Sequence, residues 1–311
     1  MLISLALSLF IDLVLGEPPA KIHPVVWTGK ISERFIKPYS SRPYGIFIWC
    51  ISVLPILLPS SLALYYIRDP IFQILVSTYF IKISFSIKLL YKIVYNSKDL
   101  DENAKYWVQQ IVRRNVYELD RGHVASAAIE SLFESTVDGI TSPLFWYIVL
   151  GPFGALLQRL SNTMDSMVGY KTPELKDQGW FSAKVDTILN FIPARITGYL
   201  MILLGMIFRL NWRNAIKALK ESKMESVNAK YPIAIAAGLL NVRLEKPGYY
   251  SVGSGNLPDT KEIIISLNFF KALVATYLAL VLIIDYYLYG LTFFSYPYGI
   301  IEFFYSKFMS Y

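Results

Sequence analysis

Apolar runs of membrane-crossing length alternate with short polar connections along this chain. Residues 45–67 form a clear apolar span in which Pro55 and Pro59 predict kinks. A tight turn at Arg68, Asp69 and Pro70 leads into a return helix over 71–95. That helix carries Lys82 and Lys88, which either snorkel toward the interface or face the bundle interior, snorkelling being the expected outcome. Residues 1–15 read as an uncleaved first membrane helix, short for a full crossing, because a basic leader and a small-residue cleavage site are both missing. Residues 96–126 are polar, with Ala104, Trp107, Val108, Ile111 and Val112 at helical spacing, and predict a membrane-proximal helical hairpin. Residues 140–160 are apolar but broken at Pro143, Gly151, Pro152 and Gly154. A broken helix is tolerated at membrane depth where it lines a cavity. Further apolar runs cover 196–208, 231–240 and 263–290, and an aromatic C-terminal tail is expected at the interface.

Composition sharpens this reading. Of 311 residues, 54% are hydrophobic and 17% charged, which places the chain among multi-spanning membrane proteins rather than soluble enzymes. The formal net charge of +7 is concentrated in the connections between apolar runs. A membrane protein is expected to show that distribution, so nucleic acid is excluded as a partner. Residues 209–230 interleave Arg209, Arg213, Lys217, Lys220, Lys223 and Lys230 with Leu210, Trp212, Ile216 and Leu219, the pattern of an amphipathic helix on the cytoplasmic surface. The single cysteine, Cys50, sits in an apolar run and reads as a small buried hydrophobe. The expected fold is an all-α, polytopic membrane helical bundle. It forms a single domain over 1–311, with membrane-proximal amphipathic helices and broken or re-entrant helices around a polar cavity. The basic connections 17–44, 96–126 and 209–230 all read as cytoplasmic. Treating 140–160 and 191–208 as a re-entrant or buried pair then lets every polar motif face one cytoplasmic cavity.

The chemistry concentrates between Ala127 and Arg195. Glu130, Glu134 and Asp138 are spaced by four, so a helix would set them within roughly 80° of one another. Ala127, Ala128, Leu132 and Val137 fall on the opposite, packing face. Like charges at that spacing repel, and a ladder of them calls for a compensating cation. Oxygen ligands of this kind suit Mg²⁺, held by one or two carboxylates plus substrate phosphates. Asn162, Asp165, Gly169, Tyr170 and Lys171 follow, then Asp186, Asn190 and Arg195 at helical intervals. Near the N-terminus, Asp12, Glu17 and His23 cluster in a segment held in turns by Gly16, Pro18, Pro19 and Pro24. His23 alone reads as structural. The segment KPGYYSVGSGNLPDT has glycines able to approach a phosphate, but no G-x-x-x-x-G-K-[ST] pattern occurs in the chain.

At these motifs the chain resembles the CobD/CbiB family, the adenosylcobinamide-phosphate synthases of cobalamin biosynthesis. The family's D-x-x-x-G-[DE]-P-x-x-x-x-HP is met by Asp12, Gly16, Glu17, Pro18, His23 and Pro24. Its E-x-x-x-E-x-x-x-D-G-x-x-x-P-x-F-[WY] is met by Glu130, Glu134, Asp138, Gly139, Pro143, Phe145 and Trp146. NTxDxMxGYK runs from Asn162 to Lys171, and N-x-x-PAR ends at Arg195. A later pattern is met by Ser226, Asn228, Ala229, Pro232, Ala234, Ala236, Gly238 and Leu240. Ser135, Thr187 and Asn115 depart from the family's usual residues.

The resemblance implies an ATP-dependent amide ligase joining adenosylcobyric acid to aminopropanol or its O-phosphate. It implies Mg²⁺ held by Glu130, Glu134, Asp138 and Asp165, with ATP as co-substrate. It also implies phosphate-neutralising roles for Lys171, Lys184 and Arg195, and a ligand or proton-accepting role for Asp186. His23, Arg114, Asn162 and Asn190 complete the expected substrate- and nucleotide-binding set. The implied partners are the corrinoid, the aminopropanol phosphate and the lipid bilayer, with other membrane enzymes of the cobalamin pathway as further candidates. The implied location is the cell membrane, with the active site facing the cytoplasm. Two rival readings are a membrane regulatory protein like the distantly related AmpE group and a transporter. The transporter is disfavoured by the lack of repeated halves.

Overall fold

The computed structural model describes residues 1–290, 298–301 and 304. The described chain is mostly helical. In order it forms α1 (Leu2–Val14), α2 (Pro24–Phe35), α3 (Arg42–Tyr66), α4 (Pro70–Lys82), α5 (Lys88–Asn96), α6 (Glu102–Gln109) and α7 (Arg121–Thr136). A π-turn at Val137–Thr141 leads into α8 (Ser142–Val168), followed by α9 (Trp180–Ile207), α10 (Trp212–Glu221) and α11 (Lys230–Leu240). A β-hairpin of β1 (Arg243–Lys246) and β2 (Tyr250–Gly253) precedes α12 (Thr260–Tyr289). Helix starts follow local chemistry. The Asp69 side chain accepts from the Ile71 and Phe72 amides, Asp101 from the Ala104 amide and Asp120 from the His123 amide. Proline occupies the first turn of α2, α3, α4 and α8, where its missing N–H costs nothing.

Four helical stretches are long and apolar enough to cross a membrane: Arg42–Tyr66, Arg121–Val168, Trp180–Ile207 and Thr260–Tyr289. The fold is therefore an all-α membrane architecture. Helix α1, at 13 residues, is shorter than a full crossing, as its apolar run implied.

Several boundaries differ from the sequence reading. The return helix expected over 71–95 is two helices, parted at Ile83–Ile87, where the Ser84 hydroxyl donates to the Phe80 carbonyl and the Ser86 amide to the Gly139 carbonyl. The basic helix expected across 209–230 is confined to α10, capped at its start by the Asn211 side chain. The apolar run 191–208 is not separate, because it continues from Trp180 in one 28-residue helix. The bend predicted inside 140–160 is present. Gly151 sits at φ 66 and ψ −159, a conformation open to glycine and closed to most L-residues, directly before Pro152. The glycine-containing segment after Asn241 forms an antiparallel hairpin, with Lys246 paired to Tyr250 and Gly248 turning at φ 77. Most of the aromatic tail lies outside the described residues.

The chain divides into two compact units. One comprises Met1–Ser86, Asp138–Leu189 and the residues from Ala279 onward, and the other Ile87–Val137 and Asn190–Leu278. In the first, Leu156, Leu160, Met164 and Val168 of α8 recur every fourth residue and pack with Ile48, Val53, Leu57 and Leu64 of α3. Gly45 lets α3 meet the turn before α9, since a Cβ there would lie 2.0 Å from the Gln178 carbonyl oxygen. Where such helices lie in lipid, close packing rather than water exclusion drives their association.

In the second unit α7 is buried on nearly every side, with Ala125, Ala127, Ala128, Ile129 and Leu132 all sealed from solvent. Ala127, Ala128, Leu132 and Val137, expected on a packing face, are all buried, but so is Glu130 on the ladder side, so the burial is not one-sided. Helices α10 and α11 approach closely at Gly238, where a Cβ would sit 2.3 Å from the Ala215 Cα. Leu244 and Val252, facing each other across the hairpin, are also buried.

Candidate functional site

Glu130, the first residue of the carboxylate ladder, accepts three side-chain hydrogen bonds. The Asp120 cap fixes where α7 begins, and Glu130 falls in its third turn. Its Oε1 accepts from the Ser126 hydroxyl at 2.5 Å. Its Oε2 accepts from the Arg114 guanidinium at 3.1 Å and from the Tyr250 hydroxyl at 2.7 Å. A carboxylate oxygen offers about two lone-pair sites, so Oε2 is saturated. Gln109 shapes the segment that delivers Arg114. Its amide donates to the Val112 and Arg114 carbonyls, and its oxygen accepts from the Val116 amide. The hairpin delivers Tyr250, and the Glu245 amide ties it to α7 by donating to the Ser126 hydroxyl at 2.7 Å. Burial, followed by the charges of Glu130 and Glu134, pushes the Tyr250 phenol far above the ordinary tyrosine range. The phenol therefore stays a donor at any physiological pH, and its electrostatic coupling to Glu134 sets that half-buried carboxylate in the same neighbourhood.

Arg195 makes a separate arrangement in this unit. Its guanidinium donates to the Phe191 carbonyl and to Asn228 Oδ1 at 3.3 Å, and lies over the Phe191 and Tyr231 rings. Two sequence motifs, N-x-x-PAR and the one containing Asn228, meet here. Asn190 is buried in the same helix.

The first unit holds its own polar centre. Lys82 lies 3.0 Å from Asp12 and 3.2 Å from Glu17, and Glu17 lies 3.4 Å from His23 Nε2. Lys82 is 3% exposed and Asp12 fully buried, so the lysine faces the interior and does not snorkel. Two flanking carboxylates make that burial tolerable, because a buried ammonium needs a counter-charge. Burial opposes ionisation of Glu17, but the His23 hydrogen bond and the Lys82 charge outweigh it and hold the group at about 2. Arg159 interacts electrostatically with both Glu17 and Asp138, and the Gln158 side chain donates to the Asp138 carbonyl at 3.3 Å.

Further along, Asn162 donates to Asp186 Oδ1 at 3.1 Å, joining the NTxDxMxGYK motif to the start of α9. Asp165 folds its carboxylate over the end of α8, where a Cβ on Gly169 would lie 1.9 Å from Asp165 Oδ1. That contact accounts for the glycine at this step of the motif. Lys171 and Lys184 are exposed.

The structure therefore brings Arg114 to Glu130, with Glu134 nearby, in one unit. In the other it pairs Asn162 with Asp186 and couples Arg159 to Asp138. Among the described residues no three His, Cys, Asp or Glu side chains converge as a metal cage. Residues outside the sequence-derived set also enter these centres: Ser126, Tyr250, Glu245, Lys82 and Arg159. Lys82 and Arg159 carried a signal, as charges inside apolar runs. Ser126 and Tyr250 carried none.

Comparison with known proteins places these motifs in context. The family model described as CobD/Cbib protein matches residues 5–267. A probable cobalamin biosynthesis protein CobD of Aeropyrum pernix is 41% identical over 263 residues, covering 81% of this chain and 82% of that protein. The protein of the same description from Methanothermobacter thermautotrophicus is 38% identical, covering 80% of this chain and 86% of its own length. That from Pyrococcus furiosus is 38% identical over 299 residues, covering 91% and 98%. No solved structure matches.

Proposed function

The chain belongs to the CobD/CbiB family of cobalamin biosynthesis, and we propose from that membership that it is an ATP-dependent amide ligase. In this reading the propionate carboxylate of adenosylcobyric acid attacks the γ-phosphorus of ATP, giving an acyl phosphate and ADP. The amine of aminopropanol O-phosphate then attacks the acyl carbon, inorganic phosphate leaves, and the nitrogen gives up a proton. The product is adenosylcobinamide phosphate. With the free alcohol as amine it is adenosylcobinamide.

Family membership carries this proposal, and the clasp of Arg114, Ser126 and Tyr250 on Glu130 is the structural feature that supports it. It rigidly sets the turn of α7 that presents Glu134, and a fixed carboxylate is what metal–phosphate positioning needs. The donor chemistry fits Mg²⁺ arriving on ATP, since this ion takes one or two protein carboxylates and keeps its phosphate and water ligands. Glu134 in one unit, and Asp138 and Asp165 in the other, are each carried over from the motifs as candidates to hold it. Glu130, with Oε2 saturated, acts in the clasp. Bound Mg²⁺ would neutralise phosphate charge as it transfers. Lys171, Lys184 and Arg195 are assigned to phosphate oxygens. Asp186, oriented by Asn162, is assigned to take the proton from the attacking amine. Because ATP is cytoplasmic, the site faces the cytoplasm.

The test is product formation by the purified, detergent-solubilised chain with adenosylcobyric acid, aminopropanol phosphate and Mg·ATP, read by mass spectrometry of the corrinoid. A mass gain for the amide that requires both ATP and amine is expected. Corrinoid left unchanged under saturating substrates, with ATP unconsumed, would overturn the ligase.

A further inference from the structure

The two arms of α8 fold against each other. A helix running straight from Asp138 to Gln158 would part the two residues by about 30 Å. Instead the Gln158 side chain donates to the Asp138 carbonyl at 3.3 Å. The reversal lies at Gly151, and beyond it a Cβ on Gly154 would lie 2.3 Å from the Trp146 carbonyl oxygen. The return arm thereby carries Arg159 back to the π-turn that presents Asp138. Arg159 Nη1 is 3.7 Å from the place that a Cβ on Gly139 would occupy. The Ser86 amide also holds this turn, donating to the Gly139 carbonyl at 3.1 Å. Irregular backbone inside apolar sequence is tolerated where it is buried in protein or lines a cavity, and π-turns recur at functional sites.

Arg159 is a charge inside an apolar run and needs counter-charges. Two carboxylates supply them, Glu17 of the N-terminal motif and Asp138 of the π-turn. Glu17 is itself fixed by Lys82 at 3.2 Å and by His23 at 3.4 Å, and Lys82 by Asp12 at 3.0 Å. Charges thus alternate in sign along Asp12, Lys82, Glu17, Arg159 and Asp138, all within the first unit. The inner end of this series is sealed, with Asp12 and Lys82 buried, whereas Asp138 at the outer end is half-buried and keeps surface for a ligand. Among the described residues Arg159 Nε is buried without a hydrogen bond. A lysine there would keep the charge and forfeit no bond made by that atom.

We propose that Arg159 is a positioning residue, which fixes the Asp138 carboxylate for Mg²⁺ arriving on ATP and is itself anchored by Glu17, Lys82 and His23. This gives the N-terminal motif a use that the reaction scheme leaves open. The ligand rests on the ligase reading, whereas the meeting of Arg159 with the π-turn does not.

The experiment is a double-variant cycle on the full chain in detergent, read by calorimetric titration with Mg·ATP and by the midpoint of thermal unfolding. Arg159→Met and Asp138→Asn are each expected to weaken Mg·ATP by about 10- to 100-fold, the usual loss when a metal ligand or its supporting partner is removed. The pair together should bind no more weakly than the weaker single variant, because both remove one function. Arg159→Lys should recover most of the affinity. If Arg159→Met does not fold, Arg159→Met with Glu17→Gln, which removes one carboxylate along with the cation, replaces it and is compared with Glu17→Gln. Losses that multiply in the pair would overturn the proposal, since Arg159 would then act independently of Asp138. Parent affinity in Arg159→Met would overturn it too, as would an Arg159→Lys variant as weak as Arg159→Met. Any of these results, with amide formation intact in the parent, leaves the ligase standing. A parent that neither binds nor consumes Mg·ATP removes the ligase and the positioning role together, and the unfolding midpoints then still report whether Arg159 and Asp138 are coupled.

Discussion

Tyr250, on the hairpin, donates its phenolic proton to Glu130 on α7 over 2.7 Å, bridging 120 positions of sequence. Arg114 completes the clasp from the other side, with side-chain exposures of 15% for Arg114 and 5% for Glu130. A buried ion pair contributes little net stability over an apolar substitute, but breaking one half of it is costly. The clasp therefore fixes geometry more than it adds stability, and in the proposed ligase reading it leaves Glu134, rather than Glu130, to meet the metal.

That division predicts different outcomes for two similar changes. Glu130→Ala leaves Arg114 buried without its counter-charge and is expected to cost about 3–5 kcal/mol, read as a lowered midpoint of thermal unfolding in detergent. Glu134→Gln is expected to leave the midpoint and membrane insertion intact while abolishing amide formation. Full activity in Glu134→Gln would remove that residue as a metal-phosphate ligand.

Tyr250 supplies a prediction at alkaline pH. Its folded pKa is raised above the ordinary value of 10.0 by burial and by the Glu130 and Glu134 charges. The folded state therefore holds a proton that the unfolded chain releases. The stabilisation is complete below pH 10 and is lost as pH rises from there toward the folded value. Tyr250→Phe should flatten the decline in stability above that pH, and a phenolate absorbance titration of the folded protein should lose one late-titrating tyrosine. An unchanged alkaline profile would show that Tyr250 is not buried against the ladder.

The membrane-crossing helices were readable because apolar length and proline or glycine breaks are local signals, as at Gly151 and over 45–67. The motifs were readable as strings, and the structure adds which of them meet: Asn162 with Asp186, and Arg195 with Asn228. The clasp was not readable. Arg114, Ser126 and Tyr250 reach Glu130 from a connection, a helix and a hairpin, and a tyrosine in a glycine-containing segment gives no hint of its partner. Lys82 was misjudged for a related reason. Snorkelling was the default for a lysine in an apolar helix expected over 71–95, and only the folded positions of Asp12 and Glu17 reverse it. The even four-residue spacing of the ladder also hid the π-turn at Val137, which interrupts the regular helical increment before Asp138.

Lys82 is expected to be irreplaceable alone and replaceable in company. Lys82→Met removes the ammonium that Asp12 and Glu17 share, leaving the fully buried Asp12 short of positive charge, and should destabilise the protein by about 3–5 kcal/mol. Adding Asp12→Asn and Glu17→Gln removes the uncompensated negative charge and should recover most of the loss. The check is the unfolding midpoint of the single and triple variants in one detergent. A triple variant no more stable than the single one would mean that Lys82 packs by shape and not by charge.

The same centre predicts behaviour in acid. Glu17 is held at about 2, against an ordinary value of 4.5, so its folded pKa is depressed. The stability it contributes is fully present above pH 4.5 and is lost as pH falls from there toward 2. A displacement of that size corresponds to roughly 3 kcal/mol, a large fraction of the stability of a typical domain. Glu17→Gln should therefore be less stable than the parent at neutral pH, and the difference should close as both are taken to acid. His23→Ala removes the His23 hydrogen bond to Glu17 and should shift the parent's acid transition upward without abolishing it, because Lys82 still faces Glu17 at 3.2 Å. Acid unfolding curves of the three proteins, followed by tryptophan fluorescence, test this order. Superimposed curves for the parent and Glu17→Gln would show that Glu17 is solvated in the folded protein.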